Sequence, residues 1–307
     1  MNVLFVGLGS IGNRHSKNLK EICRERNIPI HITALRSNLG SLKNCDFPQI
    51  DEMIYEPDGR KYDVVFITNP TTLHYDAYKK LAGYADYFFI EKPIFANTSV
   101  TLEEAGMSDS NIYVAAPMRF TSTYMKLKEI LSKTHIFSSR IICSSYLPDW
   151  RPGQDYREVY SAKKELGGGV GIDLIHEIDY MVDLFGFPKR FCTMRGRYSN
   201  LEINSNDLCT LLAEYDTHIA EVHLDYFGRT YRRNCECFTE NGSVIADFGL
   251  GTVTLPSGEV IDCKDTVNDR YVREMNAFLD FIEGKGKNLN PPSLAFEVLK
   301  ISRGENK

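Results

Sequence analysis

The sequence predicts an α/β chain of two domains: a doubly wound parallel sheet, then an α+β domain with a large, mostly antiparallel open sheet. Three observations predict it. Apolar runs alternate with helix-length amphipathic segments through the first 118 residues. After Gly186 the pattern changes to closely spaced, strand-like runs. The length of 307 residues is too great for one ordinary core and suits two. We draw the boundary at 118, which makes the domains 1–118 and 119–307.

The elements follow in order. Residues 2–6 are an apolar run ending in glycine, a helical stretch covers Ile11 to Arg26, and a second run follows at Ile30 to Leu35. Strand, glycine-rich turn, helix and strand open a βαβ unit. Asp63 to Thr68 reads as a strand, Thr72 to Ala82 as a helix, Tyr87 to Ile90 as a strand, Leu102 to Ala105 as helical and Ile112 to Ala116 as a strand. In the second half Thr121 to Leu131 is helical, Ser139 to Leu147 strand-like, and a polar, aromatic loop spans Pro148 to Ser161. Gly167 to Gly169 lead into a helix expected over Val170 to Phe185. Strands are then expected at 192–198, 208–215, 219–226, 234–239, 243–247 and 252–255, and a closing helix at 271–283. Asn241-Gly242 carries a hairpin signal between two of those strands.

Composition excludes several classes. The longest apolar runs fall far short of the ~20 residues a membrane span needs. The start, MNVLFVGLG, has no basic leader region and reads as a buried strand, which points to the cytoplasm. A net charge of −5 with no Lys/Arg-rich block argues against nucleic acid as a partner. The eight cysteines are scattered, and the one close pair, Cys235 and Cys237, does not have zinc-ligand spacing. Reduced thiols and no metal site are expected.

Five motifs carry chemistry. Gly7-Leu-Gly9-Ser10-Ile11-Gly12 follows a strand and opens a helix. Gly7 permits the turn, Gly9 lets backbone approach a pyrophosphate, and Gly12 lets helix and strand pack closely. The competing reading is a structural glycine turn or a methyltransferase loop. The second strand ends Ala34-Leu35-Arg36-Ser37 with no carboxylate for a ribose 2′-hydroxyl. A guanidinium and a hydroxyl suit a 2′-phosphate, so NADP is preferred over NAD. The alternative is that Arg36 only stacks on adenine.

Thr68-Asn69-Pro70-Thr71-Thr72-Leu73-His74 sits at the carboxyl end of a strand, where open α/β sheets bind ligands. Asn69 can bond a cofactor ribose; His74 is either part of this site or a helix-surface or capping histidine. Glu91-Lys92-Pro93 again follows a strand directly. Lys92 there can stabilise an alkoxide, and Pro93 can hold a cis bond that aims it; a solvated loop lysine is the alternative. In Gly167-Gly-Gly-Val-Gly-Ile-Asp173-Leu-Ile-His176-Glu177-Ile-Asp179-Tyr180, a continuous helix puts Asp173, His176 and Asp179 on one broad face. A carboxylate can then orient the imidazole as general base. The competing reading is a buried histidine satisfied by its neighbours. Finally, Trp150, Arg151, Arg157 and Tyr160 lie in one aromatic, charged loop. Aromatic faces stack on sugar rings and arginines fork onto anions; a packing loop is the alternative.

Taken together, these residues resemble the Gfo/Idh/MocA family of oxidoreductases, and the motifs run in that family's order over nearly the whole chain. The resemblance implies a Rossmann dinucleotide-binding domain followed by an α/β domain whose open sheet serves substrate binding and assembly into a homodimer or homotetramer. It implies Lys92 and His176 as catalytic residues. It places the cofactor across Gly7, Gly9, Ser10, Ile11 and Gly12, with Asn69 and Glu91 beside it. Two departures stand out. Many members have the aspartate four residues before the histidine, whereas Asp173 is three before, which leaves Asp179 as a substitute partner. Pro117-Met118-Arg119-Phe120 stands where relatives carry Asn before the Arg-Phe pair, with Arg119 counted among the cofactor contacts. The stretch YLPDWRPGQDYREVYSAKKELGGG, with HLDYFGR at 223–229, is similar to a subgroup tied to surface-polysaccharide biosynthesis. That implies a nucleotide-activated or acidic sugar, entering between the domains, with Arg151 and Arg157 suited to its anionic groups. The expected activity is reversible hydride transfer between nicotinamide and a secondary alcohol or ketone of a sugar. A non-catalytic dinucleotide-sensing regulator, and cofactor-assisted sugar elimination or hydrolysis, remain open as alternatives.

Overall fold

The computed structural model describes residues 1–37 and 47–305; Cys45 lies outside them. Within them the chain forms two compact units. One comprises residues 1–116 with 271–296, the other residues 117–270 with 297–307.

Unit 1 is a six-stranded parallel sheet. Its strands are β1 (Asn2–Val6), β2 (His31–Leu35), β3 (Glu52–Ile54), β4 (Tyr62–Ile67), β5 (Ala85–Ile90) and β6 (Ile112–Val114). They are ordered β3-β2-β1-β4-β5-β6, so the sheet reverses direction of winding between β1 and β4. Its strands are apolar on both faces, as a sheet covered on both sides requires. Val3 and Phe5 of β1 point to one side, where they meet Leu19, Ile22 and Cys23 of helix α1 (Ser10–Glu25). Leu4 and Val6 point to the other, where Ala77, Tyr78 and Leu81 of α2 (His74–Leu81) close the second core. A short helix, α3 (Leu102–Ala105), starts with a capping box between Thr101 and Glu104.

A single cut at 118 misses a return of the chain. Far along the chain, helix α7 (Asp269–Ile282) brings Met275, Phe278 and Leu279 into the same core as Phe5, Phe66 and Phe89. That apolar stripe, at i, i+3 and i+4, is what assigns residues 271–296 to unit 1. Arg26 at the end of α1 holds the helix by bonding the Asn276 side chain and Asp280.

Unit 2 contains α4 (Ser122–Leu131), α5 (Val170–Asp173), α6 (His176–Phe185) and an eight-stranded sheet. Its strands are β7 (Ile136–Tyr146), β8 (Arg190–Gly196), β9 (Leu208–Glu214), β10 (Ile219–Asp225), β11 (Phe227–Thr239), β12 (Gly242–Asp247), β13 (Thr252–Thr254) and β14 (Val260–Asp262). Every neighbouring pair is antiparallel except β7 and β10. Period-two alternation separates the faces: Ile141, Cys143, Leu211, Ala213, Val222 and Leu224 are buried, while Arg140, Leu212 and Ile219 are exposed. Gly242 begins β12 after the two-residue turn Glu240-Asn241. The sequence reading missed β3, β14 and the final helix α8 (Pro292–Arg303). Proline at the first helical position was the overlooked signal for α8. No helix among the described residues is long and apolar enough to cross a membrane.

The helix expected over 170–185 is two helices. Leu174 leaves helical geometry with φ −98° and ψ 28°, and His176 restarts the helix as the first residue of α6. The unbroken 3.6-residue periodicity that would set Asp173 on one face with His176 and Asp179 is therefore interrupted, and only His176 and Asp179 share a helix.

Candidate active site

In unit 1 the candidate groups sit at the carboxyl ends of β1, β4 and β5, three adjacent strands at the point where winding reverses. The loop after β1 is shaped by its glycines. Gly7 has φ +91°, and a Cβ there would lie 2.9 Å from the Asn69 backbone. A Cβ on Gly12 would lie 2.4 Å from the Gly7 carbonyl oxygen and 2.7 Å from the Thr68 hydroxyl. Thr68 donates that hydroxyl to the Gly7 carbonyl at 2.7 Å, tying the two loops together. Gly9 differs: a Cβ there would meet nothing within 4 Å. Its missing side chain serves no internal contact and leaves open space at the start of α1. That helix carries no acidic residue in its first turn and no side-chain cap, so its positive end is available to an anion. Ser10 is exposed beside it and Ile11 half-buried. The Asn69 side-chain oxygen is buried with no hydrogen-bond partner among the described residues. An open cradle and an orphaned acceptor on the same sheet edge fit a dinucleotide.

At the end of β2, the Arg36 guanidinium lies 5.5 Å from the centre of the Phe47 ring, and Ser37 is exposed. Pro70 is exposed after Asn69. His74 is not at the surface but almost wholly buried. One ring nitrogen faces the Asn69 carbonyl and the other the Pro93 carbonyl, both at 3.0 Å. Burial pushes this imidazole below its ordinary range, against the pull of those carbonyls and of Glu91. A neutral ring carries one N–H, so one of the two contacts is a hydrogen bond at a time. His74 thus braces the β4 loop against the β5 loop.

Lys92 is half-buried, and the Lys92–Pro93 peptide bond is cis. Its neighbour Glu91 turns inward: one carboxylate oxygen is 2.6 Å from His15 Nε2 and the other accepts the Lys92 backbone N–H at 3.2 Å. Burial would raise the Glu91 carboxyl, but the His15 hydrogen bond and the Lys92 charge hold it below its ordinary value. His15 is fully buried on α1, with its ring edge against Phe89 and Tyr271. Sequence reasoning missed it; its place on the buried face of α1 was the available signal.

Unit 2 carries the remaining candidates. Asp173, at the end of α5, is buried and receives two phenol hydrogen bonds, from Tyr160 to Oδ1 and from Tyr226 to Oδ2, each at 2.5 Å. Tyr226 was not foreseen. The triple glycine makes this arrangement possible. Gly167 and Gly169 take φ +86° and +139°, and a Cβ on Gly168 would lie 2.2 Å from the Tyr160 carbonyl oxygen. Trp150 packs edge-on to Tyr226 and donates its indole N–H to Ser145. Arg151 is exposed. Arg157 is already engaged by Asp155 and Glu202, so its charge is largely matched locally.

His176 is half-buried at the start of α6. The next residue, Glu177, is fully buried and bonded by Arg233 of β11 at 2.6 Å, which anchors the helix start. Asp179 is committed elsewhere: Arg119 binds it in bidentate fashion at 2.8 and 2.6 Å and also reaches Asp183 at 3.2 Å. Both Arg119 and Asp179 are buried, so each supplies the other's counter-charge. That pairing supplies a counter-charge to each buried group within unit 2.

Comparisons with known proteins agree with this fold. Residues 1–107 match the sequence model of the oxidoreductase family with an NAD-binding Rossmann fold, Gfo/Idh/MocA. Myo-inositol 2-dehydrogenase of Thermotoga maritima is 26% identical over 189 residues, 58% of this chain and 53% of that protein. The match therefore spans about half the length of that relative. The uncharacterized oxidoreductase YrbE of Bacillus subtilis is 23% identical over 97% of this chain and 90% of its own. Levoglucosan dehydrogenase, solved with NADH and levoglucosan, shares the fold over 99% of this chain and 95% of its own, with a TM-score of 0.80 at 16% identity. Residues 1–107 thus carry the NAD-binding Rossmann fold of the Gfo/Idh/MocA oxidoreductase family, and the rest of the chain is similar to its members in fold.

Proposed function

We propose that the protein is an NAD(P)-dependent dehydrogenase or reductase acting on a secondary alcohol or ketone of a sugar, in the nucleotide-activated or acidic class used in polysaccharide biosynthesis. The observation that carries this is the sheet edge of unit 1. An open Gly9 cradle and the orphaned Asn69 oxygen lie at the ends of β1 and β4, and Lys92 lies at the end of adjacent β5. When bound, the nicotinamide supplies the hydride acceptor or donor. Gly9 and the α1 terminus hold the pyrophosphate, and Asn69 bonds a ribose hydroxyl. Lys92 stabilises negative charge on the substrate oxygen, while His176 takes or returns the hydroxyl proton. Trp150 and the exposed flank of Tyr160 present aromatic surface to a sugar, with Arg151 toward its anionic group.

NADP preference is supported by the absence of a carboxylate at the end of β2, where Arg36 and Ser37 stand instead. The exposed face of the unit 2 sheet, with Met194, Leu212 and Ile219, supports assembly as a homodimer or homotetramer. We place the protein in the cytoplasm. Two measurements test this reading. Fluorescence titration should give tighter binding of NADPH than of NADH; no binding of either would overturn it. Lys92→Met should lower turnover by at least about a hundredfold while leaving the melting temperature in place. Unchanged turnover would remove Lys92 from the chemistry.

A further inference from the structure

We propose that Tyr226 is a positioning residue that, with Tyr160, clamps the Asp173 carboxylate in one orientation for its work beside His176. The proposal rests on the reading above, in which His176 moves the hydroxyl proton, and takes Asp173 as the carboxylate that serves it.

Asp173 needs such a clamp. It ends a four-residue helix, and the chain breaks helical geometry at the next residue. The local backbone is therefore a weak guide for a side chain that turns freely about its last torsion. Each carboxylate oxygen instead receives one short phenol bond, from Tyr160 and from Tyr226. Two donors on two oxygens define the carboxylate plane.

Tyr226 is itself held on several sides. It is fully buried, its backbone N–H donates to Asp207 and its carbonyl accepts from Leu147. Its ring meets the edge of Trp150 at 5.3 Å. The other clamp is held from the opposite direction, because the chain at Tyr160 and Ser161 lies against Gly168 at a distance only glycine allows. Burial, and then the Asp173 charge, raise both phenols well above their ordinary value, so both remain O–H donors across the working pH range. Through Tyr160 and Tyr226 the aromatic loop and the carboxylate form one rigid piece.

The test is a kinetic cycle on the full-length protein with Tyr226→Phe, Asp173→Asn and the double variant. Tyr226→Phe keeps the ring that Trp150 rests on and removes one charge-assisted bond. It should lower kcat about 10- to 100-fold, leave KM within about threefold, and leave NADH affinity by fluorescence unchanged, since no substrate or cofactor contact is lost. In the Asp173→Asn background the same change should lower kcat by less than about twofold, because the carboxylate it positions is gone. Wild-type kcat in Tyr226→Phe, or an equal loss in both backgrounds, overturns the proposal. If Tyr226→Phe does not fold, Tyr160→Phe removes the other clamp at a partly exposed position, and its kcat loss must likewise vanish in the Asp173→Asn background. Should Asp173→Asn and His176→Asn both turn over like wild type, the underlying reading falls, and this proposal with it.

Discussion

Replacing Gly9 by alanine separates the cofactor cradle from the scaffold that shapes it. The Gly9 backbone has φ −68° and ψ −170°, extended geometry that any residue adopts, and a Cβ meets nothing within 4 Å. Alanine restricts the unfolded chain and so stabilises by about 0.4–1 kcal/mol. It is also a poorer N-cap than glycine, by about 0.5–1 kcal/mol. The two effects offset, so Gly9→Ala should unfold within about 1 kcal/mol of wild type, a change in Tm of at most about 4 °C. Binding is another matter. The methyl occupies the space where pyrophosphate would meet the α1 amides, and Kd for NADH and NADPH should rise at least 10- to 100-fold, about 1.4–2.8 kcal/mol. Gly12→Ala gives the opposite pattern. Its methyl would lie 2.4 Å from the Gly7 oxygen and 2.7 Å from the Thr68 hydroxyl, well inside contact distance. Relief requires α1 to withdraw, or Thr68 to give up its bond to Gly7. Overpacking of about 1–3 kcal/mol and a lost hydrogen bond of about 1 kcal/mol together destabilise by about 2–4 kcal/mol. Thermal melts and fluorescence titrations of the two variants side by side are the assay. A Gly9→Ala protein that binds either nucleotide with wild-type Kd would refute the cradle.

Other expectations concern the braces around the site. Because burial holds the folded His74 imidazole below its ordinary 6.5, the unfolded chain binds a proton there that the folded chain refuses. Stability from this group is full above about pH 6.5 and falls as pH drops below it. His74→Gln lacks that loss, so the Tm gap between wild type and variant should narrow from pH 7.5 to 5.5; a constant gap would refute the assignment. Arg119→Met leaves Asp179 buried without its counter-charge and should destabilise by about 3–5 kcal/mol in urea unfolding. Adding Asp179→Leu should recover part of that, and a single-variant cost below about 1 kcal/mol would show that the pair holds little.

Most of unit 1 was legible in the sequence because its signals are local. Apolar runs mark strands buried on both faces, and Gly7, Gly9 and Gly12 each serve a contact, or a space, at the very turn where they stand. The features that escaped depend on partners distant in the chain. The regular spacing of Asp173, His176 and Asp179 suggested one helical face, but the helix breaks at Leu174 and side chains distant in sequence hold the carboxylates: Tyr160 and Tyr226 hold Asp173, and Arg119 holds Asp179. Nothing in the local pattern marks position 226 as facing position 173, or His15 as facing Glu91. The triple glycine shows the difference most clearly. Read locally, Gly167 to Gly169 look like a flexible entry to a helix. In the fold, Gly168 is where the Tyr160–Ser161 backbone presses closest, and that approach is what lets the Tyr160 phenol reach Asp173. A glycine run before a short, broken helix is then better understood as space reserved for another segment of chain than as a hinge, and substitution at Gly168 should damage the site by displacing Tyr160 rather than by stiffening a loop.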